Sequence, residues 1–356
     1  VSNSTSISLF RRTEGMSQLL KLTSRIIVIY GCLFCATGVV ASEKITIMVS
    51  SIEKQIYLPA KLAERLGYLR ETGLDIELQS VPDGANAEKQ MLLGVAQGVI
   101  GFYDHTIHLQ ARGKLVQSVV QLSQAPGEVI VVSKTAAKDI QSPADFKGKT
   151  LGVTALGSST HLLTQFLAAQ AGIKNSEFTA LPVGAGEKFI SALKQGKINA
   201  GMTTEPTLSQ LTATGDAAIL VDLRSVKSTE AVLGGTYPGA CLYMPSAWVN
   251  KNRDTVQKIV TAFVKTLRYI DTHTAEEIAD KMPREYMVSN RTMYINALDA
   301  GKSMFTPSGL MPENGPPTVL RILKEFDRTV QGRPINLSNT YSIEFAQEAN
   351  RALSEK

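Results

Sequence analysis

Cysteine is nearly missing from this chain, and what there is cannot staple a fold. Of three cysteines, Cys32 and Cys35 fall within the first forty residues and leave Cys241 alone in the remainder, so no internal disulfide is available there. That thiol sits among small and apolar neighbours in Pro238-Gly-Ala-Cys-Leu-Tyr243 and reads as a buried structural group rather than a nucleophile. Histidine is equally scarce, at 105, 108, 161 and 273. Only His105 and His108 are close, with Asp104 beside them, and the sequence offers no third positioned ligand, so no metal centre is expected. The chain has no Gly-x-Ser-x-Gly elbow, no phosphate loop and no dinucleotide fingerprint, which removes the usual candidates for covalent and nucleotide chemistry. Charged residues make up only 19% of the chain, and no clustered basic face with interleaved aromatics speaks for nucleic acid. Beyond the N-terminal stretch there is no run of about 18 apolar residues, so no membrane-spanning helix is expected.

What is present is an ordinary globular composition, 44% apolar over 356 residues. That is too long for one small core, and two lobes are the natural expectation. The first 41 residues read as an address label. Arg11, Arg12, Lys21 and Arg25 form a basic stretch, Ile26 to Val40 is uncharged and mostly apolar, and Val39-Val40-Ala41 resembles a small-residue cleavage site before Ser42. This is the pattern of a secretory signal, with Met16 as its expected start and Val1 to Gly15 as an upstream extension. Glu14 and the distance to the apolar run argue against the twin-arginine route. Cys32 and Cys35 are poor contexts for a lipid anchor. Without residues 1–41 the net charge falls from +5 to +2.

From Lys44 onward, strand and helix signals alternate. Lys44–Ser50 reads as a buried strand, Tyr57–Leu66 as a helix with Leu58, Leu62 and Leu66 on one face, ended by Gly67, and Leu74–Val81 as a second strand. A helix over 85–97 and a strand over 99–103 follow. After strand-like stretches at 116–122 and 128–132 the pattern restarts, with strands near 150–153, 178–183, 198–202 and 219–222 separated by helices at 158–171 and 187–195. The spacing implies right-handed crossovers and mostly parallel sheets, with a second α/β unit inserted between two pieces of the first. A strand at 240–244 and helices at 253–272, 291–304, 318–328 and 343–354 complete the chain.

Four blocks, in this order, resemble one family. They are Tyr57-Leu-Pro-Ala-Lys-Leu-Ala-Glu-Arg-Leu-Gly-Tyr-Leu-Arg-Glu-Thr-Gly-Leu-Asp-Ile-Glu-Leu78, Leu93-Gly-Val-Ala-Gln-Gly-Val-Ile-Gly-Phe102, Asp145-Phe-Lys-Gly-Lys-Thr-Leu-Gly-Val153 and Ala192-Leu-Lys-Gln-Gly-Lys-Ile-Asn-Ala-Gly201. They are similar to the periplasmic substrate-binding proteins of ABC transporters for nitrate, sulfonates, taurine and thiamine-pyrimidine precursors, the NMT1/THI5-like group. The resemblance implies an α/β, two-lobed periplasmic binding protein of type II, each lobe a mixed, mostly parallel sheet flanked by helices, with a solute held between lobes that close about a hinge. It places lobe I at 42–133 and 238–356, lobe II at 134–237, and the crossings near 133–135 and 234–239.

Ligands of open α/β sheets lie beyond the carboxyl ends of strands. That rule selects Ser50, Ser51, Gln55 and Tyr57 after the first strand, and Tyr103, Asp104, His105 and Thr106 after the third, although capping and turn satisfaction are the commoner roles of such residues. Gly157, Ser158, Ser159 and Thr160 open a helix and form the best anion candidate, since free N–H groups and the helix dipole favour negative charge. The matching family positions commonly touch ligand. Glu205 matches a cleft-facing position and would suit an amine or repel a bare sulfonate. Thr236 and Tyr237 could supply a hydroxyl and an aromatic wall, while His161 and Trp248 read as structural.

The expected function is therefore capture of a small solute, acidic and sulfonate- or carboxylate-like, by a monomeric periplasmic protein. It would deliver the solute to an ABC permease and its ATPase, with no cofactor, nucleic acid or catalysis. The alternatives are a thiamine-pyrimidine-like or aromatic ligand, an enzyme of the pyrimidine-precursor synthase kind on the same fold, and a sensor that presents its solute to a receptor kinase.

Overall fold

A computed structural model describes residues 44–287 and 290–355. The expected signal segment lies outside the described residues. The first sheet begins with β1 (Ile45–Ser50), which is followed by α1 (Leu58–Arg65), β2 (Ile76–Val81), α2 (Gly84–Leu92), β3 (Gly98–Phe102), α3 (Asp104–Ala111) and β4 (Val116–Gln121). The second sheet takes β5 (Glu128–Ser133), β6 (Thr150–Val153), α4 (Ser159–Gln170), β7 (Thr179–Pro182), α5 (Glu187–Lys194), β8 (Ala200–Thr204), α6 (Thr207–Ala213), β9 (Ala217–Leu223) and α7 (Val226–Leu233). The chain then returns to the first sheet with β10 (Ala240–Pro245). It ends in α8 (Ser246–Lys251), α9 (Arg253–Thr272), α10 (Ala275–Lys281), α11 (Arg291–Gly301), α12 (Gly315–Phe326), α13 (Arg328–Gln331) and α14 (Glu344–Ser354).

Both sheets have five strands and the same plan, β2-β1-β3-β10-β4 and β7-β6-β8-β5-β9. In each, one strand pairs in parallel with two neighbours, β1 with β2 and β3, β6 with β7 and β8. One antiparallel strand is inserted beside them: β10 between β3 and β4, and β5 between β8 and β9. The sheets are thus more evenly mixed than crossover spacing alone predicts. The pairing also corrects the first boundary. The strand at 128–133, expected in lobe I, belongs to the second sheet, so the first passage between lobes runs through 122–127 rather than 133–135. The second runs through 234–239, between α7 and β10.

The two passages lie against each other. Leu122 and Ser123 donate their N–H groups to the Ala240 carbonyl at 2.8 and 3.0 Å, and Gln121 Nε2 donates to the carbonyls of Ser123 and Ala240 at 2.7 and 2.9 Å. A Cβ on Gly239 would come within 2.7 Å of the Ala125 carbonyl oxygen, so only glycine lets the strands of chain run this close. The carboxyl ends of β1 and β3 point from lobe I towards the first residue of β5 and the start of α4.

Packing follows the apolar stripes. Helix α9 buries Val256, Ile259, Val260, Phe263, Val264, Leu267 and Ile270 at helical spacing, against Ile47, Leu62 and Leu242 among others. Each such large side chain contributes about 1.5–3 kcal/mol by leaving water. A second core is continuous from lobe I to lobe II. It joins Ile107 and Tyr243 to Leu163, Phe166 and Leu151, with Val319, Ile322 and Leu323 of α12 lying between. The outer face of the second sheet has its own cluster around Phe189, Leu193 and Leu211.

Candidate functional site

A narrow crevice separates the facing ends of the two sheets. Lobe I contributes Ser50, Lys54, Ile56, Tyr57, Phe102 and His105, and the second lobe contributes Glu128, Thr154, Ser158, Ser159 and Thr204. Its volume is about 10 Å³, room for about one water molecule. Across it the lobes touch directly, as the Gln55 N–H donates to the Glu205 carbonyl at 3.2 Å.

The chemistry of the crevice rests on two residues that sequence reasoning missed. Lys54 follows the turn after β1 and is 7% exposed. Its ammonium meets no hydrogen-bonding or ion-pairing side chain among the described residues. Burial lowers its pKa, with Glu128, Glu53 and Asp83 acting in the opposite sense. Glu128 opens β5 and is 1% exposed. Its Oε1 accepts from Ser159 Oγ at 2.7 Å, while Oε2 is buried without a hydrogen-bond partner. Burial pushes the Glu128 carboxyl up to about 8, against the pull of Ser159 and Lys54, with Asp104 adding to the rise. A largely buried lysine whose ammonium makes no hydrogen bond, and a buried carboxyl with a bare oxygen, are costly arrangements in a packed protein. They are the kind of cost that a ligand relieves.

The expected site residues divide into those at the crevice and those held elsewhere. Ser50, Tyr57, His105, Ser158 and Ser159 line it. Tyr57 stands edge-on to Phe102, and His105 reaches Tyr243 through Nδ1 at 3.3 Å while its buried Nε2 has no hydrogen-bond partner. Ser158 precedes α4 and makes no side-chain cap bond. Its hydroxyl donates to the Ala155 carbonyl at 2.7 Å and lies 2.8 Å from Thr160 Oγ1. The α4 N-terminus therefore faces the crevice with its first amides uncapped by a side chain, next to Lys54.

Others are structural. Ser51, left-handed with φ 57°, donates to the Pro82 carbonyl, and Gln55 donates its amide to the Tyr294 carbonyl at 3.1 Å. Tyr103 hydrogen-bonds Thr340 at 2.5 Å, and Asp104 accepts from Tyr237 at 2.8 Å, so the presumed aromatic wall at Tyr237 is a core partner. Thr106 donates to the Tyr103 carbonyl at 2.8 Å, Thr160 Oγ1 accepts from the Thr154 N–H at 3.0 Å, and Thr236 donates to Glu230 at 3.0 Å. Gly157 donates to His161 Nδ1 at 3.0 Å and faces a separate groove beside α4. Glu205 is the clearest correction. Its carboxylate takes Arg224 Nη1 at 3.2 Å and the Ser209 N–H at 3.0 Å, partners that oppose the upward push of burial on its pKa, so only its backbone carbonyl, and not its side chain, meets the other lobe. His108 turns away towards Asp327, 3.4 Å distant, and does not join Asp104 and His105. Burial raises the Cys241 thiol to about 12, far from a reactive thiolate.

Comparison with known proteins agrees with this architecture. A protein of Bordetella bronchiseptica RB50 is 33% identical, superposes with a TM-score of 0.83, and covers 87% of this chain and 98% of its own. The periplasmic nitrate-binding protein NrtA of Synechocystis PCC 6803 shares the fold at a TM-score of 0.67 and 14% identity, over 89% of this chain and 90% of its own. The 4-amino-5-hydroxymethyl-2-methylpyrimidine phosphate synthase THI13 of Saccharomyces cerevisiae is 28% identical over 167 residues, 46% of this chain and 47% of the yeast protein. The match thus spans about half the length of that relative. The NMT1/THI5-like family profile matches residues 57–277; with the two-lobed periplasmic-binding-protein fold around a polar crevice, the chain belongs to the NMT1/THI5-like family.

Proposed function

We propose that this chain is the solute-capturing component of an ABC importer, acting in the periplasm as a monomer and binding one small acidic solute between its lobes. The observation that carries this reading is Lys54, a largely buried lysine whose ammonium makes no hydrogen bond or ion pair among the described residues, lining the same crevice as Ser50, Ser159 and the start of α4. An acid group there gains a charge-assisted bond from Lys54 and dipolar stabilisation from the helix. The bare Oε2 of Glu128 accepts a donor from the solute, or donates to it when protonated. Likeness to a nitrate-binding protein supports transport and a periplasmic location. The yeast relative's name favours a second reading, a synthase, but the crevice supplies neither a reactive thiolate nor a metal-ligand cluster among the described residues.

Isothermal titration of the purified protein with nitrate, acetate, benzoate and methanesulfonate tests the reading. At least one acid is expected to bind with one-to-one stoichiometry and to lose affinity in Lys54→Met. Absence of binding by every acid would overturn it. Formation of a pyrimidine phosphate by the purified protein would favour the synthase instead.

A further inference from the structure

Strands β1, β3 and β4 all start at one pole of the first sheet, the end away from the crevice. They run in the same direction, since β1 pairs in parallel with β3, and β10 is antiparallel to both β3 and β4. Two tight turns stand at that pole, Leu92-Leu93-Gly94-Val95 ahead of β3 and Arg112-Gly113-Lys114-Leu115 ahead of β4. Only β10 separates those strands, which places them about 10 Å apart, and an ion pair from Arg112 Nη1 to Glu88 Oε1 at 2.9 Å ties the second turn to α2. Gly94 and Gly113 are left-handed, at φ 76° and 74°, and no atom lies within 4 Å of where a side chain on either would begin, so both turns project freely. Their tips are apolar: Leu93 is 66% exposed, Leu115 58% and Val95 53%. Elsewhere the exposed large apolar side chains among the described residues, Leu156, Ile219 and Ile343, stand singly on separate segments. Such a cluster marks an interaction surface. Its local charge is basic. Lys89 and Lys114 are exposed and make no ion pair among the described residues, Glu88 is answered by Arg112, and Glu77, held by Lys44, lies on β2 at the far edge of the sheet. Lysine is depleted where proteins bind proteins, whereas aliphatic side chains set among lysines suit a lipid surface, where the first enter the headgroup boundary and the second meet anionic headgroups.

We infer that lobe I rests on an anionic lipid surface through these two turns, with Leu93, Val95 and Leu115 in the headgroup region and Lys89 and Lys114 over the lipid phosphates. The crevice lies at the opposite ends of the same strands, so contact with lipid at this pole does not cover it. This goes beyond the proposed function and does not depend on which solute is bound.

Cosedimentation of the purified protein, at low salt, with phosphatidylcholine vesicles that contain or lack phosphatidylglycerol tests it. Wild type is expected to bind the anionic vesicles at least about tenfold more tightly than the zwitterionic ones. The double variant Lys89→Gln, Lys114→Gln is expected to weaken binding to anionic vesicles about 25-fold, about fivefold for each lysine, and Leu93→Ser, Leu115→Ser to weaken it at least about tenfold. All four side chains are exposed, so both variants are expected to melt as wild type does. Both are also expected to bind acids as wild type does, which keeps this result separate from the proposed function. Equal affinity for the two kinds of vesicle, or binding that either double variant leaves intact, would overturn the inference. So would a dimer in sedimentation velocity that Leu93→Ser, Leu115→Ser abolishes, since a second copy of the chain would then cover the turns.

Discussion

Holding a lysine side chain largely out of water with no hydrogen bond or ion pair on its ammonium costs a folded protein stability, which the field of Glu128, Glu53 and Asp83 offsets only in part, so Lys54 is a residue whose removal should help the fold and harm the function. Lys54→Met is expected to raise the denaturation midpoint while lowering affinity for the acid by at least about thirtyfold, the loss typical of a buried charge-assisted bond. A variant that loses both stability and binding would mark Lys54 as structural. Glu128 gives a pH signature. Its carboxyl is raised from an ordinary value of 4.5 to about 8 by burial, so the folded state holds the proton more tightly than the unfolded chain. The stability it contributes is full below about pH 4.5 and is lost as pH rises towards 8, at up to about 1.4 kcal/mol per pH unit. The difference in unfolding free energy between wild type and Glu128→Gln, measured by denaturant titration from pH 5 to 8, is expected to move steadily in favour of the variant. A difference independent of pH contradicts the buried neutral acid. Neither residue was legible as a site residue. Lys54 stands in Ser51-Ile-Glu-Lys-Gln55 and reads as a surface charge, and only the close approach of the second lobe buries it. For Glu128 a signal existed, a lone carboxylate leading the apolar run Val129–Val132. Glu205 misled because its partner, Arg224, is 19 residues away in sequence.

At the scale of elements, periodicity carried most of the information. The stripes of α1 and α9, and the strands at 45–50 and 98–102, were readable because each buries a regular face. The start of α4 was readable too, and two of its hydroxyls do line the crevice. Replacing Ser158 and Ser159 together by alanine is expected to lower acid affinity roughly tenfold, about 0.5–1.5 kcal/mol for each hydrogen bond lost. Unchanged affinity in titration calorimetry would remove α4 from the site. What periodicity could not give was the sheet to which β5 belongs. All six of its residues are buried, so its sequence has no polar face to orient it, and its partners β8 and β9 lie far along the chain. The 122–127 passage was missed for the same reason. There Gly239→Ala is expected to destabilise by about 1–3 kcal/mol through overpacking against the Ala125 carbonyl; a change within about 0.5 kcal/mol in denaturant titration would show that the passages can part without strain.

For the whole molecule, two sheets of identical order exchange one strand's worth of chain at a glycine-tight crossing, and their facing ends meet over polar groups whose hydrogen-bonding capacity is not filled. The fold was legible because four sequence blocks keep their order over residues 57–201. The site was legible only on the sides nearest regular elements, since the rest of it exists only once the lobes meet. The account depends on an acid group bridging those lobes at Lys54. A crystal structure of the protein with benzoate tests this most directly: the carboxylate is predicted within hydrogen-bond distance of Lys54 Nζ and in contact with residues of both lobes. A carboxylate bound to one lobe alone, or anywhere Lys54 does not reach, would contradict it.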